Sequence, residues 1–142
     1  MDQMNKMQQI MELQQLQEQM ENLSKQMDEL QEKQSTISIT INAIKEIQNI
    51  TTGTEILAPL ADGRFIRTSL NNNSTAIVNI GKGITVEKTI PEVLKMVEGH
   101  EKKINSSSIQ IENKMQTVSD TLLEKIALLE MDDDSDIEDY TD

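Results

Sequence analysis

The sequence contains no cysteine and no tryptophan, and Phe65 and Tyr140 are its only phenylalanine and tyrosine among 142 residues. The lack of cysteine excludes disulfides and thiolate chemistry. With so few aromatic rings, a thick and well-filled globular core is not expected. Methionine, leucine and isoleucine carry the apolar content instead, and this composition favours long helices packed along a narrow seam.

Basic stripes and long apolar runs are also absent. The net charge is -12, and the segment 132–142, "DDDSDIEDYTD", holds seven acidic residues and no basic one. Nucleic-acid binding requires a basic surface that displaces counterions, so we expect no nucleic-acid partner. An anionic membrane surface is disfavoured for the same reason. The first residues are too polar for a signal peptide and no run could span a bilayer, so we expect a cytoplasmic protein without a membrane partner.

Apolar residues at alternating spacings of three and four predict a first long coiled-coil helix over residues 1–50. The helix should end near "NITTGT", where β-branched residues and Gly53 follow Asn49. Its predicted seam comprises Leu13, Leu16, Met20, Leu23, Met27, Leu30, Gln34, Ile37, Ile41 and Ile44.

A second coiled-coil helix is predicted over residues 91–131, followed by a disordered acidic tail at 132–142. Pro91 fits the first helical turn, and Glu92 suits the positive end of the helix dipole. Gly99 and the serines at 106–108 weaken the middle of this helix. The predicted seam comprises Ile90, Leu94, Val97, Glu101, Ile104, Ser108, Ile111, Met115, Val118, Leu122, Ile126 and Leu129.

The two helices are predicted to pair antiparallel within the chain, because the connecting segment brings the chain back. The alternating gaps of the two seams coincide when the numbers of paired residues sum to 138, as for Leu16 with Leu122, or to 145. The heptad pattern alone leaves both registers open.

Residues 51–90 predict two β-hairpins between the helices. The strands "EILAPL" and "RFIRTSL" flank the turn "ADG", and "TAIVNI" and "ITVEK" flank "GKG". Four such strands cannot cover both of their faces, and their free edges favour pairing, so we expect assembly with other subunits through this region. One apolar face is predicted to hold Ile56, Ala58, Phe65, Val78, Ile80, Ile84 and Val86, with Leu57, Ile66 and Ile77 on the other.

Two short motifs are typical of ligand loops but favour plainer interpretations. "GKG" at 81–83 lacks the spacing of a phosphate-binding loop and the Ser or Thr after Lys82, so it predicts a tight turn. "DDDSD" at 132–136 alternates acids as a calcium loop does. However, Ile137 stands where such a loop requires glycine, and no glutamate follows at the twelfth position, so a solvated tail is predicted.

The sequence contains no recognisable catalytic constellation. His100 is the only histidine, and it has no thiol or second imidazole with which to share a metal. No nucleophile accompanies it, and no acid–base pair can be placed in a pocket. We therefore expect no bound metal, no cofactor and no enzymatic activity.

The methionines divide into two groups. Met20, Met27 and Met115 lie on the seams and are expected to pack there. Near the ends of the helices, apolar residues exceed the two-per-seven stripe of a coiled coil. Because methionine is flexible and polarizable, this excess favours an adaptable binding surface, with a frayed terminus or a contact between neighbouring chains as the alternative. The residues in excess are Met1, Met4, Met7, Ile10 and Met11 on the first helix, and Leu122, Leu123, Ile126, Leu128, Leu129 and Met131 on the second.

The order of these segments resembles the alpha subunits of archaeal prefoldin, the ATP-independent chaperone also called GimC. The resemblance covers residues 5–130 and is most specific in "TEILAPLADGRFIRTSL" and "AIVNIGKGITVEKTIPEVL". Beta-type subunits have a single hairpin, so the two hairpins point to the alpha type. The fold that this implies is mostly helical α+β: a long antiparallel coiled-coil hairpin whose two central β-hairpins join a multi-subunit β-barrel platform.

The resemblance implies a hexamer of two alpha and four beta subunits that holds non-native polypeptides at its coiled-coil tips and delivers them to a group II chaperonin. The acidic tail is a departure that the family pattern does not require. A structural tether or adaptor without chaperone activity is the alternative function. Assembly residues would be Ile56, Ala58, Phe65, Val78, Ile80, Ile84 and Val86, and tip residues would be Met4, Met7, Ile10, Met11, Leu122, Leu123, Ile126 and Leu129.

Overall fold

Along the chain, one long helix precedes four strands and a second long helix follows them. The computed structural model describes the backbone of residues 2–140 and the side chains of residues 3–131. The elements are α1 (Asp2–Asn49), β1 (Glu55–Ala61), β2 (Arg64–Ser69), β3 (Thr75–Gly81), β4 (Ile84–Thr89) and α2 (Ile90–Tyr140). The predicted mostly helical α+β fold, with two long helices and two central hairpins, is confirmed.

The chain divides into two compact units. Unit 1 combines the part of α1 up to Glu32 with the part of α2 from Asn105. Unit 2 covers Lys33–Ile104 and contains both hairpins.

The two predicted seams are confirmed by the burial of their side chains. In unit 1, Ile111 is buried and the exception is Ile126, which is 40% exposed. The other seam residues of this unit are half-buried: Leu13, Leu16, Met20, Leu23, Met27 and Leu30 on α1, and Ser108, Met115, Val118, Leu122 and Leu129 on α2. In unit 2, Ile41 and Ile44 are buried, as the pattern predicts.

Local chemistry explains where the helices begin and end. After α1 ends at Asn49, the β-branched residues 50–52 disfavour helix and Gly53 adopts φ of 92°. Thr89 caps α2: its hydroxyl oxygen accepts a hydrogen bond of 3.3 Å from the backbone N–H of Glu92. Pro91 then lies in the first turn, where its missing N–H leaves no intrahelical bond unmade.

The far end of α2 differs from the sequence-based expectation. The helix continues to Tyr140, whereas the sequence predicts a helix end at 131 and disorder from 132. The stretch 132–140 contains neither proline nor glycine, so no residue in it interrupts helical backbone. Residues 141 and 142, the remainder of the predicted tail, lie outside the described residues.

The best-buried cluster of unit 2 joins the second hairpin to the helices. Ile44, Ile90 and Val93 form its centre, and Ile90 is only 3% exposed. Ala76 and Val78 of β3 pack against it, together with Leu94 and Val97 of α2. The N–H of Ile90 also donates to the carbonyl of Ser74 at 2.9 Å. The second hairpin is therefore held to the start of α2 by both packing and a backbone hydrogen bond.

Each hairpin forms its own two-stranded antiparallel sheet, β1 with β2 and β3 with β4. Both turns have positive φ at their two central residues: 48° at Asp62 and 77° at Gly63, then 53° at Lys82 and 74° at Gly83. Positive φ at both positions is the signature of a type I′ turn, whose twist matches that of the flanking strands. The predicted turns "ADG" and "GKG" are thus confirmed.

One residue interrupts the ladder of the first hairpin. Ala61 pairs with Arg64 across the turn, but the next pair is Pro59 with Phe65. Leu60 is therefore an extra residue without a partner in the ladder, which is a β-bulge.

The bulge shifts which residues of the first hairpin share a face. Directly opposed residues of an antiparallel pair lie on the same face, and Ala58 is opposite Ile66. Phe65, opposite Pro59, lies on the other face. The predicted grouping of Phe65 with Ile56 and Ala58 is therefore wrong, because a slip of one residue moves a side chain to the opposite face.

The second hairpin has the faces that the sequence predicts. Val78 is opposite Val86, and Ile84 lies two residues before Val86 on the same strand, so these three share a face. Ile77 is opposite Glu87 on the other face. Its bulge falls at Ile80, which has no partner in the ladder.

Replacing Gly63 by alanine should destabilise the chain by about 1–2 kcal/mol, because a Cβ is strained at its positive φ. Apart from its two chain neighbours, no residue has an atom within 4 Å of the added Cβ, so backbone strain alone should set the loss. Gly99→Ala is the matched control: Gly99 lies in α2 with equally open space, so it should gain about 0.5–1 kcal/mol. Urea unfolding followed by circular dichroism measures both, and equal stability of the two variants would contradict the assigned turn.

Candidate binding surfaces

The ends of the two helices in unit 1 carry a group of exposed apolar side chains, here called the terminal patch. Its residues are Met4, Met7, Ile10 and Met11 on α1, and Leu123, Ile126, Leu128 and Met131 on α2. The two helix ends lie together, because the carboxylate of Glu12 forms an ion pair with the ammonium group of Lys125. The patch is thus carried by both helices at the same end of unit 1.

The terminal patch overlaps the predicted tip residues without matching them fully. Six of the eight predicted residues are exposed there, whereas Leu122 and Leu129 are half-buried in the seam. The patch also includes Leu128 and Met131, which the predicted set lacked. The sequence pattern indicated both residues, since they lie among the apolar residues of α2 that exceed the heptad stripe.

The register of the helical pair follows from contacts within unit 1. The Glu12–Lys125 pair has residue numbers that sum to 137, and an open groove farther along unit 1 is lined by residues 19–26 and 113–118. Both agree with the register of 138 rather than 145. Continued from Leu13 toward the N-terminus, the seam falls at Gln9 and Lys6, which are half-buried, whereas Met4 and Met7 lie off the seam and are exposed.

A polar group adds to the imperfect pairing at this end. The side-chain carbonyl oxygen of Gln9 is buried and has no hydrogen-bond partner among the described residues. A buried polar atom left without a hydrogen bond costs about 1–3 kcal/mol. The seam at this end of unit 1 therefore contains a polar atom that weakens the pairing of the helices.

Open grooves lie along the helices of both units. The groove in unit 1 is open and lined mainly by amide and hydroxyl side chains, and a second open groove in unit 2 includes Lys45, Glu98 and Lys102. Among residues 3–131, no group of three or more His, Cys, Asp or Glu side chains could hold a metal ion. Neither helix, over its described part, has a stretch apolar enough to cross a lipid bilayer.

A second group of exposed apolar side chains, here called the hairpin surface, lies on unit 2 and occupies both faces of each hairpin. It comprises the exposed side chains of Leu57, Leu60, Phe65, Ile66, Ile77, Ile80 and Ile84. Because each sheet has only two strands, every strand also presents a free edge of backbone N–H and C=O groups. Exposed apolar strands with free edges are typical of sheets that pair with another chain.

The predicted assembly residues are divided between this surface and the interior. Phe65, Ile80 and Ile84 are exposed on the hairpin surface. Half-buried residues account for the rest: Ile56, Ala58, Val78 and Val86. The prediction missed the exposed Leu57 and Ile66, and the bulge at Leu60 places Ile66 on the face of Ala58 instead of the face of Leu57.

Two long helices with two β-hairpins between them define a class of coiled-coil subunit. The family model described as prefoldin subunit matches residues 16–132. The chain therefore belongs to the prefoldin subunit family.

The similar proteins with curated names are alpha subunits of archaeal prefoldin. That of Methanothrix thermoacetophila is 31% identical over 71 residues, which is 50% of this chain and 46% of that protein. That of Archaeoglobus fulgidus is 29% identical over 79 residues, 56% of this chain and 58% of that protein. The chain spans about half the length of the curated relatives it matches.

A solved structure supports the fold. A chain in the cryo-EM structure of filamentous PFD from Methanocaldococcus jannaschii superposes with a TM-score of 0.71, covering 80% of this chain and 94% of that one. Its sequence identity is 19%, so the likeness concerns the fold alone.

Proposed function

We propose that the chain is a subunit of an ATP-independent chaperone that holds non-native polypeptides at the terminal patch. The observation that carries this proposal is a patch of exposed apolar side chains, half of them methionine, at the paired helix ends of a prefoldin-family chain. Non-native chains expose apolar groups in many sequence contexts, and flexible methionine side chains adapt to such variety.

The physical mechanism is the joint action of several weak contacts. Burial of one such side chain contributes about 1.5–3 kcal/mol, and much of this is offset by the cost of ordering the partners. A single patch therefore binds weakly. Several patches carried on one assembly raise the effective affinity, because each later contact is intramolecular. Since every individual contact remains weak, the client leaves without nucleotide hydrolysis.

The hairpin surface supplies the assembly in this proposal. Its free edges and exposed apolar residues fit partner β-hairpins, and we propose prefoldin beta subunits as partners, two alpha with four beta, around a β-barrel platform. Delivery of the held polypeptide to a group II chaperonin is the subsequent step that we propose. Sedimentation of the chain alone and with a beta subunit tests the partner: a hexamer should form only in the mixture, and a homo-oligomer of the same size from the chain alone would contradict it.

An aggregation assay separates this function from that of a tether or adaptor. The assembled chain, added at stoichiometric ratio to a chemically denatured protein, should suppress light scattering during dilution without ATP. A folded form of the same protein should not bind. Capture of one folded partner together with indifference to denatured proteins would instead support the tether.

A further inference from the structure

The methionines of this chain fall into two classes by exposure, and the classes occupy different places. Eight of the nine methionines have described side chains. Met20, Met27, Met96 and Met115 are half-buried within the helical parts of the two units. Met4, Met7, Met11 and Met131 are all exposed, up to 76% for Met4, and all belong to the terminal patch.

We propose that the four exposed methionines of the terminal patch are a reversible oxidation site that converts the patch from apolar to polar. The chemical class of reagent is a peroxide. It transfers one oxygen atom to the thioether sulfur, which loses two electrons and becomes a sulfoxide; hydrogen peroxide leaves as water and an alkyl hydroperoxide as an alcohol. No other group of the protein is consumed in this step.

Exposure and composition make the site selective. Oxygen transfer requires contact between the oxidant and the sulfur, so the exposed methionines react before those packed in the seams. The chain has no cysteine, so no thiol competes for the oxidant and no disulfide can form. Thioethers are thus the only sulfur groups that a mild peroxide meets on this protein.

Oxidation at these positions changes the surface while sparing the fold. A sulfoxide is polar, whereas the thioether it replaces is flexible and apolar. Because Met4, Met7 and Met131 are exposed in the folded chain, their conversion removes little packing. Ile10, Leu123, Ile126 and Leu128 cannot be oxidised in this way, so the patch keeps part of its apolar character.

The consequence for client capture rests on the proposed function. If the patch holds non-native chains, sulfoxide formation should weaken capture by about fivefold or more, because several contacts are lost together. Methionine sulfoxide reductases reverse the reaction with two electrons from a thiol reductant, and the oxygen leaves as water, so capture should return after the enzymes and a dithiol are added. The device would release clients, or prevent capture, under oxidative conditions.

The first test measures the modification itself on the full chain. Limited hydrogen peroxide treatment followed by peptide mass spectrometry should show oxygen uptake at Met4, Met7, Met11 and Met131 about tenfold faster than at Met20, Met27 and Met115. Equal rates in the two groups, or faster reaction in the seams, would overturn the proposal.

The second test measures the effect with a matched pair of variants. In one, Met4, Met7, Met11 and Met131 are changed to leucine, which preserves apolar volume but resists oxidation. In the control, Met20, Met27 and Met115 are changed to leucine. After peroxide, wild type and the control should lose capture relative to their own untreated levels, whereas the first variant should keep whatever capture it shows before treatment. Loss in the first variant, or retention in wild type, would refute a switch at the patch.

A measurement that needs no client tests the oxidation site independently of the proposed chaperone function. Binding of an apolar fluorescent dye such as ANS reports exposed hydrophobic surface. Oxidation should lower dye fluorescence in wild type but not in the first variant, even if the untreated chain captures no client. Failure to capture would then count against the proposed function alone, whereas unchanged dye binding would count against the oxidation switch.

Discussion

Replacing Met4, Met7, Leu123 and Met131 by glutamine is expected to reduce capture of denatured protein by about tenfold or more. Each lost apolar contact removes part of the about 1.5–3 kcal/mol available from its burial, and the losses combine across the patch. Glutamine is uncharged and forms helices well, so the change isolates apolar character. The four side chains are exposed, so the free energy of unfolding should change by less than about 1 kcal/mol.

The control for this variant makes the same kind of substitution at exposed apolar residues elsewhere on the helices. Ile39 and Ile109 are 69% and 57% exposed but lie outside the terminal patch. Their replacement by glutamine should leave aggregation suppression unchanged. Suppression that falls equally in both variants would mean that clients bind along the helices in general, and the patch would lose its special role.

Changing Ile90 to alanine should lower the free energy of unfolding by about 2–4 kcal/mol. Among the described core residues, Ile90 is the most deeply buried, and its side chain packs with Ile44 and Val93 beneath the second hairpin. Truncation leaves a cavity where β3 and α2 pack together. The backbone hydrogen bond from Ile90 to Ser74 is retained, so the loss reports packing alone.

Ile109→Ala is the comparison for this loss, because it removes the same atoms from an exposed position of the same helix. It should alter stability by no more than about 0.5 kcal/mol. Urea unfolding of the full chain measures both variants. A similar loss in both would contradict the assignment of Ile90 to a buried cluster.

Much of this fold could be predicted because its elements have strong local signals. Heptad spacing identified both seams, and Asn49 and Pro91 lie within a few residues of the helix bounds. Turn chemistry located both hairpins, since Gly63 and Gly83 adopt the positive φ that such turns require.

The faces of the first hairpin could not be predicted with equal success. The bulge at Leu60 adds one residue between Ala61 and Pro59. A strict alternation of the two faces along a strand does not predict such an insertion. Phe65 and Ile66 therefore exchanged faces relative to the prediction. In the second hairpin the predicted face agrees with the observed register, in which Val78 is opposite Val86.

The register of the helices was underdetermined for a different reason. A shift of seven residues preserves every apolar match in a heptad pattern, so the seam cannot distinguish 138 from 145. The charged residues distinguish the two registers, whereas the apolar seam does not. Glu12 meets Lys125 in the observed register, whereas the alternative would place it opposite an aspartate at 133.

Site-specific photo-crosslinking to a denatured client tests most directly whether the terminal patch is where clients bind. A photoreactive residue is introduced at Met7 or Leu123 in the patch, or at Ile39 as an exposed position outside it. The account predicts strong client adducts from Met7 and Leu123 and few from Ile39. Adducts mainly from Ile39, or equal yields from all three positions, would contradict it.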